Sequence, residues 1–185
     1  MMKFEDRLIS ILQQDNYIMS ILEAVEKLQL PDCWVAAGFI RNKVWDTLHH
    51  CQTNINDIDV IYFEQTDLSR STEKKLEAAL ESQMPNQPWS VKNQARMHAK
   101  NNQAPYRSSF DSVSHFPETA TAVAAQLFHQ KIKIMAPYGL EDLFQGIVKP
   151  TPNDEKDTKR HSVYKERMQN KEWDDIWKGL IIKDV

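Results

Sequence analysis

Two aspartates, Asp57 and Asp59, open an apolar run, Val60-Ile61-Tyr62-Phe63. In a strand, side chains at i and i+2 point to the same side and their Cα atoms lie roughly 7 Å apart. One hard cation can sit between two such carboxylates. Mg²⁺ needs only one or two protein carboxylates when phosphates and waters complete its shell. The plainer reading is a solvated turn ahead of a strand, since Asp favours turns. The apolar run argues for more, because a strand buried on both faces opens its acidic end onto a defined place.

Gly38 stands between the strand-like run from Trp34 and a helical pattern. A glycine there allows close backbone approach, and the free N–H groups of the helix behind it suit a phosphate. Taken alone, Gly38 reads first as a tight strand-to-helix turn without a ligand. Ile40, Val44 and Leu48 form the buried stripe of that helix and leave Arg41 and Asn42 off it. Lys43, Trp45 and Asp46 either line the mouth of the same cleft or belong to the surface.

Several blocks together resemble a known family. They are Gly38-Phe39-Ile40-Arg41-Asn42 with Val44-Trp45-Asp46, Asp57-Ile58-Asp59-Val60, Lys92 to His98, Phe116 to Ala122, and Ala136 to Phe144. This pattern resembles bacterial nucleotidyltransferase-like proteins of the polymerase-beta-like superfamily. The resemblance implies an α+β fold with an α/β-like core, a mixed sheet flanked by helices. It implies catalytic and metal-binding roles for Asp57 and Asp59, with Mg²⁺ or Mn²⁺ as cofactor. Gly38, Phe39, Arg41, Asn42, Asn93 and Arg96 are then expected to bind the nucleotide. The partners implied are an NTP and an acceptor that could be a small molecule, a protein or an RNA end. The alternative is a catalytically inactive nucleotide- or partner-binding protein on the same fold.

Two departures bear on activity. Active superfamily members usually have Gly-Ser or Gly-Gly where this chain has Gly38-Phe39. They also usually carry a third carboxylate on a neighbouring strand, whereas the candidate strand Trp89-Ser90-Val91 is followed by Lys92, Asn93 and Gln94. Asn93 fills that place, or Glu118 or Asp142 supplies it from elsewhere, or it is absent.

The elements that must position these groups follow in order. The chain has 185 residues, 23 Lys plus Arg and 26 Asp plus Glu, for a net charge of −3. That balance predicts no general attraction to nucleic acid or anionic membranes. A single domain is expected, with N-terminal helices over 1–30, a core over 31–150 and a polar C-terminal helical segment over 151–185. No apolar run approaches the roughly 20 residues that cross a bilayer. Met1 to Asp6 lacks the apolar core of a secretory signal, and Cys33 and Cys51 read as free thiols, so a cytoplasmic location is expected.

Two helices joined near Gln14-Asp15-Asn16 precede Pro31, and Thr66 to Ser82 reads as an exposed helix with Leu76 and Leu80 inward and Glu73 outward. The polar tract from Asn93 to Gln103 reads as a surface loop able to bring Lys92, Arg96 and His98 to bear on phosphates. Pro117 at a first helical position predicts a helix over Thr119 to Leu127, and Ile132 to Met135 alternates as a strand. Between Lys156 and Lys171 basic residues interleave with aromatic and soft apolar ones. That segment reads either as a nucleic-acid-facing or substrate-closing element or as a helix whose Val163, Tyr164 and Met168 cover the sheet.

Overall fold

A computed structural model describes residues 3–184; Met1 and Met2 of the expected signal-free start, and Val185, lie outside them. Helices α1 (Phe4–Gln13) and α2 (Asn16–Glu26) meet where Asp15 Oδ1 accepts hydrogen bonds from the Tyr17 and Ile18 amides at 3.0 and 3.1 Å. That cap replaces partners missing in the first turn of α2. Ile18, Ile21, Leu22 and Val25 recur at helical spacing and are buried.

The chain then enters strand β1 (Trp34–Ala36), helix α3 (Gly38–His49) and strand β2 (Ile58–Tyr62). Helix α4 (Arg70–Gln83) carries it to β3 (Trp89–Asn93), which lies parallel to β2. After short helices α5 (Gln94–Lys100) and α6 (Ser109–Val113), strands β4 (Ala124–Phe128) and β5 (Lys131–Met135) form a hairpin. Its two turn residues, His129 and Gln130, both have positive φ, as the twist of a tight hairpin demands. The sheet order is β3-β2-β1-β4-β5, mixed because β1 runs antiparallel to both neighbours. This is the expected α+β mixed sheet flanked by helices.

Alternation decides what each face of β2 does. Ile58, Val60 and Tyr62 join the main core with α1, α2 and α3. Asp59 and Ile61 point the other way, where Ile61 meets Ala36, Ala124, Met135 and Val113 in a smaller cluster. The apolar half of β2 is thus buried on both faces, and its acidic start is left at the sheet edge of a cleft.

Three expectations differ from the structure. The helix placed over Thr119 to Leu127 is instead a turn leading into β4. Both neighbours of β4 are strands, and Ala124 and Ala125 pack on opposite faces of it. Sheet pairing overrides the helical preference of alanine there. The polar tract after Asn93 is a helix, α5, because the Asn93 side chain caps it by accepting from the Ala95 amide at 3.1 Å. Glu73 is buried, not outward: it turns under α4 to the outer edge of β3, where its carboxylate accepts from the Asn93 amide at 2.8 Å.

The C-terminal part forms α7 (Glu141–Gln145), β6 (Ile147–Val148), α8 (His161–Asn170), α9 (Trp173–Ile176) and β7 (Ile181–Ile182), with β6 and β7 parallel. Tyr164 is buried and Met168 packs on the core as expected of a covering helix, while Val163 is exposed. Trp173 and Trp177 close edge-on against Trp45 of α3, with ring centroids 5.6 and 5.0 Å away.

Candidate active site

The turn from β1 into α3 sets the geometry. Ala37 adopts φ 59° and ψ −130°, a region essentially restricted to glycine, and its amide is held by the Val123 carbonyl at 2.9 Å. The strained residue is therefore Ala37, not Gly38. A Cβ added at Gly38 would lie 3.5 Å from Arg41 Nη2, an ordinary contact. Ala37 has no side-chain oxygen to cap the helix, so the first amides of α3 open toward the cleft that Ala37, Gly38 and Phe39 line.

That cleft encloses about 1310 Å³, and Asp57 and Asp59 are on its wall. Register puts Ala36 beside Asp59 on one side and Ser90 on the other. Asp57 is exposed and Asp59 half-buried; neither forms a salt bridge among the described residues. Burial, and then the negative charge of Asp57, push the Asp59 carboxyl up to about 6, against weaker relief from Ser90, Lys92 and Arg167. Two carboxylates that repel one another without a bonded counter-charge are the donor set a hard divalent cation fits. Among the described residues no cluster of three or more metal-ligating His, Cys, Asp or Glu side chains occurs, so phosphate and water must complete any such shell.

Arg41 is buried because its guanidinium stacks on Trp173 at 4.2 Å and on Trp45 at 5.1 Å. Its Nη1 donates to Thr121 Oγ1 at 2.7 Å and its Nη2 to Asn42 Oδ1 at 2.8 Å. Burial lowers its pKa to about 10, with Glu118 acting to raise it and Arg167 to lower it further. Trp45, fully buried with its indole N–H on the Leu143 carbonyl, packs and does not face a ligand. Lys43 lines the cleft and pairs with Asp15 at 2.6 Å. Asp46 anchors the loop that ends in Asp57, accepting from the Thr53 amide at 2.9 Å and from Trp177 Nε1 at 2.9 Å.

Of the expected residues, Asp57, Asp59, Gly38, Phe39, Arg41 and Asn42 share the cleft. Asn93 and Arg96 do not come to it. The parallel register pairs Asn93 with Tyr62, at the far end of β2 from the carboxylates. There the guanidinium of Arg96 forms a two-pronged pair with Glu73. The place beside Asp59 on β3 belongs to Ser90, and Asp142 is tied to Lys149 at 3.0 Å and to Thr119 at 2.7 Å. Glu118 is fully buried and paired with Arg167. Thr121 and Arg167 are the residues that single-residue reading passed over. Thr121 lies in a block that already carried the resemblance, and Arg167 in the basic C-terminal stretch.

Known proteins frame this geometry. The sequence pattern of a family described as nucleotidyltransferase matches residues 23–182. A structure determined by NMR and described as revealing a CCA-adding enzyme head domain is 35% identical, with a TM-score of 0.85 over 97% of this chain and 96% of that one. The Bacillus stearothermophilus CCA-adding enzyme in complex with CTP is 16% identical, with a TM-score of 0.51 over 83% of this chain and 38% of that one. The Thermotoga maritima CCA-adding enzyme complexed with tRNA is 14% identical, with a TM-score of 0.50 over 81% of this chain and 36% of that one. These two share the fold, and this chain spans less than two fifths of each. No curated protein matches the chain in sequence. With the family pattern covering most of its length and a 35%-identical structure covering nearly all of it, this chain belongs to the nucleotidyltransferase family.

Proposed function

We propose that this chain is a metal-dependent nucleotidyltransferase that moves a nucleoside monophosphate from an NTP to a hydroxyl-bearing acceptor. The observation that carries the reading is the Asp57–Asp59 pair, without a bonded counter-charge, in a cleft shared with the open amides of α3.

Asp57 and Asp59 would hold Mg²⁺ or Mn²⁺, which supplies Lewis-acid polarisation of the phosphate oxygens. The amides at Gly38 and Phe39 receive phosphate oxygens at the positive end of α3. Arg41, fixed by Thr121, Asn42 and the two tryptophans, contributes positive charge from behind that turn. The acceptor oxygen bonds to the α-phosphorus as the bond from that phosphorus to the bridging oxygen breaks. Pyrophosphate leaves with the negative charge, and the hydroxyl proton passes to solvent. Catalysis then rests on positioning and electrostatic stabilisation.

Ser90 beside Asp59, where an acid would assist deprotonation, favours a second reading in which the chain binds nucleotide or a partner without transfer. A hydroxyl of a small molecule, a protein or an RNA end would serve as the acceptor. The similar CCA-adding structures with CTP and with tRNA make an NTP donor the natural first probe. We read the described residues as one domain. No helix among them is long and apolar enough to cross a membrane, and the two free cysteines agree with a cytoplasmic location.

Calorimetry with ATP, GTP, CTP and UTP, with and without Mg²⁺, tests the site. Metal-dependent binding to the native chain that is lost in Asp57→Asn/Asp59→Asn is the expected result. No binding of any NTP at millimolar concentration sinks the nucleotide reading. Binding without incorporation into any acceptor supports the second one.

A further inference from the structure

The cleft has a second guanidinium, and it differs from the first in what it has left to offer. Arg167 of α8 lines the same wall as Thr121. Its Nε donates to Glu118 Oε1 at 2.5 Å and its Nη2 to Glu118 Oε2 at 3.2 Å. Nη1 has no hydrogen-bond partner among the described residues, and the side chain is 32% exposed beside a fully buried Glu118. Arg41, by contrast, is 5% exposed, with both terminal nitrogens bonded and its plane covered by tryptophan.

Glu118 is a rigid seat. It bridges Pro150 across the chain, flanked by the Thr119 amide on the Lys149 carbonyl and the Thr151 amide on the Pro117 carbonyl, each at 3.0 Å. One short segment therefore holds both arginines, Arg41 through Thr121 and Arg167 through Glu118. A bidentate pair fixes the guanidinium plane, and a fork so fixed recognises phosphate oxygens with little further ordering. The charges also divide: the carboxylates of Asp57 and Asp59 stand at the start of β2, while Arg167 enters the same cleft from α8. A triphosphate carries more negative charge than one divalent cation neutralises, and the surplus needs a cation that the Asp pair cannot supply.

Resting on the nucleotide reading above, we propose that Arg167 contacts the phosphates beyond the α-position, so that helix α8 supplies part of the NTP site. Glu118 is its positioning residue.

The test compares each NTP with its monophosphate by calorimetry, with Mg²⁺ present, on the native chain and on Arg167→Ala/Glu118→Gln. The double variant removes the arginine without leaving a buried unpaired carboxylate. The expected result is NTP affinity weakened by about tenfold to hundredfold, the worth of a charge-assisted bond, with monophosphate affinity within about twofold. Arg167→Lys keeps the charge and loses the fork, and it is expected to show the same selectivity at smaller size; it serves alone if the double variant fails to fold. A native chain that binds no NTP ends the nucleotide reading and this inference together. Normal native binding with equal losses for NTP and monophosphate, or no loss of either, overturns this inference alone.

Discussion

At one end of β2, Asp57 and Asp59 face the cleft without a bonded cation; at the other, Glu73, Asn93 and Arg96 close upon one another. Asn93 donates to the Glu64 and Asp67 carbonyls at 2.6 and 2.9 Å and accepts from the Glu64 and Ala95 amides at 3.1 Å each. All four of its hydrogen-bonding positions are in use. Glu73 holds the Asn93 amide and the Arg96 guanidinium. The Tyr62 hydroxyl, buried nearby, is the exception without a partner. Polar residues of similar kinds thus serve opposite ends. A network with its partners supplied stabilises the fold, whereas carboxylates that repel each other in a cleft are held at a cost that a ligand relieves.

The comparison breaks most sharply on nucleotide binding. Asp57→Asn/Asp59→Asn is expected to lower metal-dependent NTP binding or transfer by more than about 100-fold, since even supporting residues around a metal contribute 10–100-fold. Circular dichroism should report an intact fold. Equal binding by variant and native chain would move the site elsewhere.

Glu73→Ala probes the closed end. It leaves the half-buried Arg96 without its partner and the buried Asn93 amide unpaired, so a loss of about 1–3 kcal/mol in chemical denaturation is expected. NTP affinity of the folded protein should stay unchanged. A selective loss of nucleotide binding would show that the two ends are coupled.

The pH dependence sharpens the contrast. Asp59 titrates at about 6 in the folded chain, above its ordinary value of 3.8. The folded state therefore binds the extra proton, and the stability contributed by this group falls as pH rises from about 4 through 6. In metal-free buffer at pH 8, Asp59→Asn should be more stable than the native chain by about 1–2 kcal/mol, discounted for part exposure. Thermal melting between pH 4 and 8 reads this, and identical profiles for the two proteins would refute the repulsion at the site.

The smallest effect concerns the turn. Ala37→Gly removes strain of about 1–3 kcal/mol and adds unfolded-chain entropy of about 0.5–1, leaving a net gain near 1 kcal/mol. The melting temperature should rise by about 2–4 °C. A fall would mean that the backbone at position 37 is relaxed.

Much of this molecule was readable along the chain. Apolar spacing located α1 and α2, the aspartates at i and i+2 came to line one cleft, and grouped motifs pointed to the fold that the structure shows. These are local properties, written in periods of two and 3.6 residues. Tertiary structure alone decided the rest. Only the parallel register of β3 on β2 sends Asn93 and Arg96 away from the carboxylates. Only pairing on both sides makes a strand of Ala124–Phe128. Arg167 reaches Glu118 across 49 positions and Trp173 reaches Arg41 across 132, contacts that no local period encodes. Which polar residues are satisfied and which remain open depends on who arrives from far along the chain, and that is settled only when the chain packs.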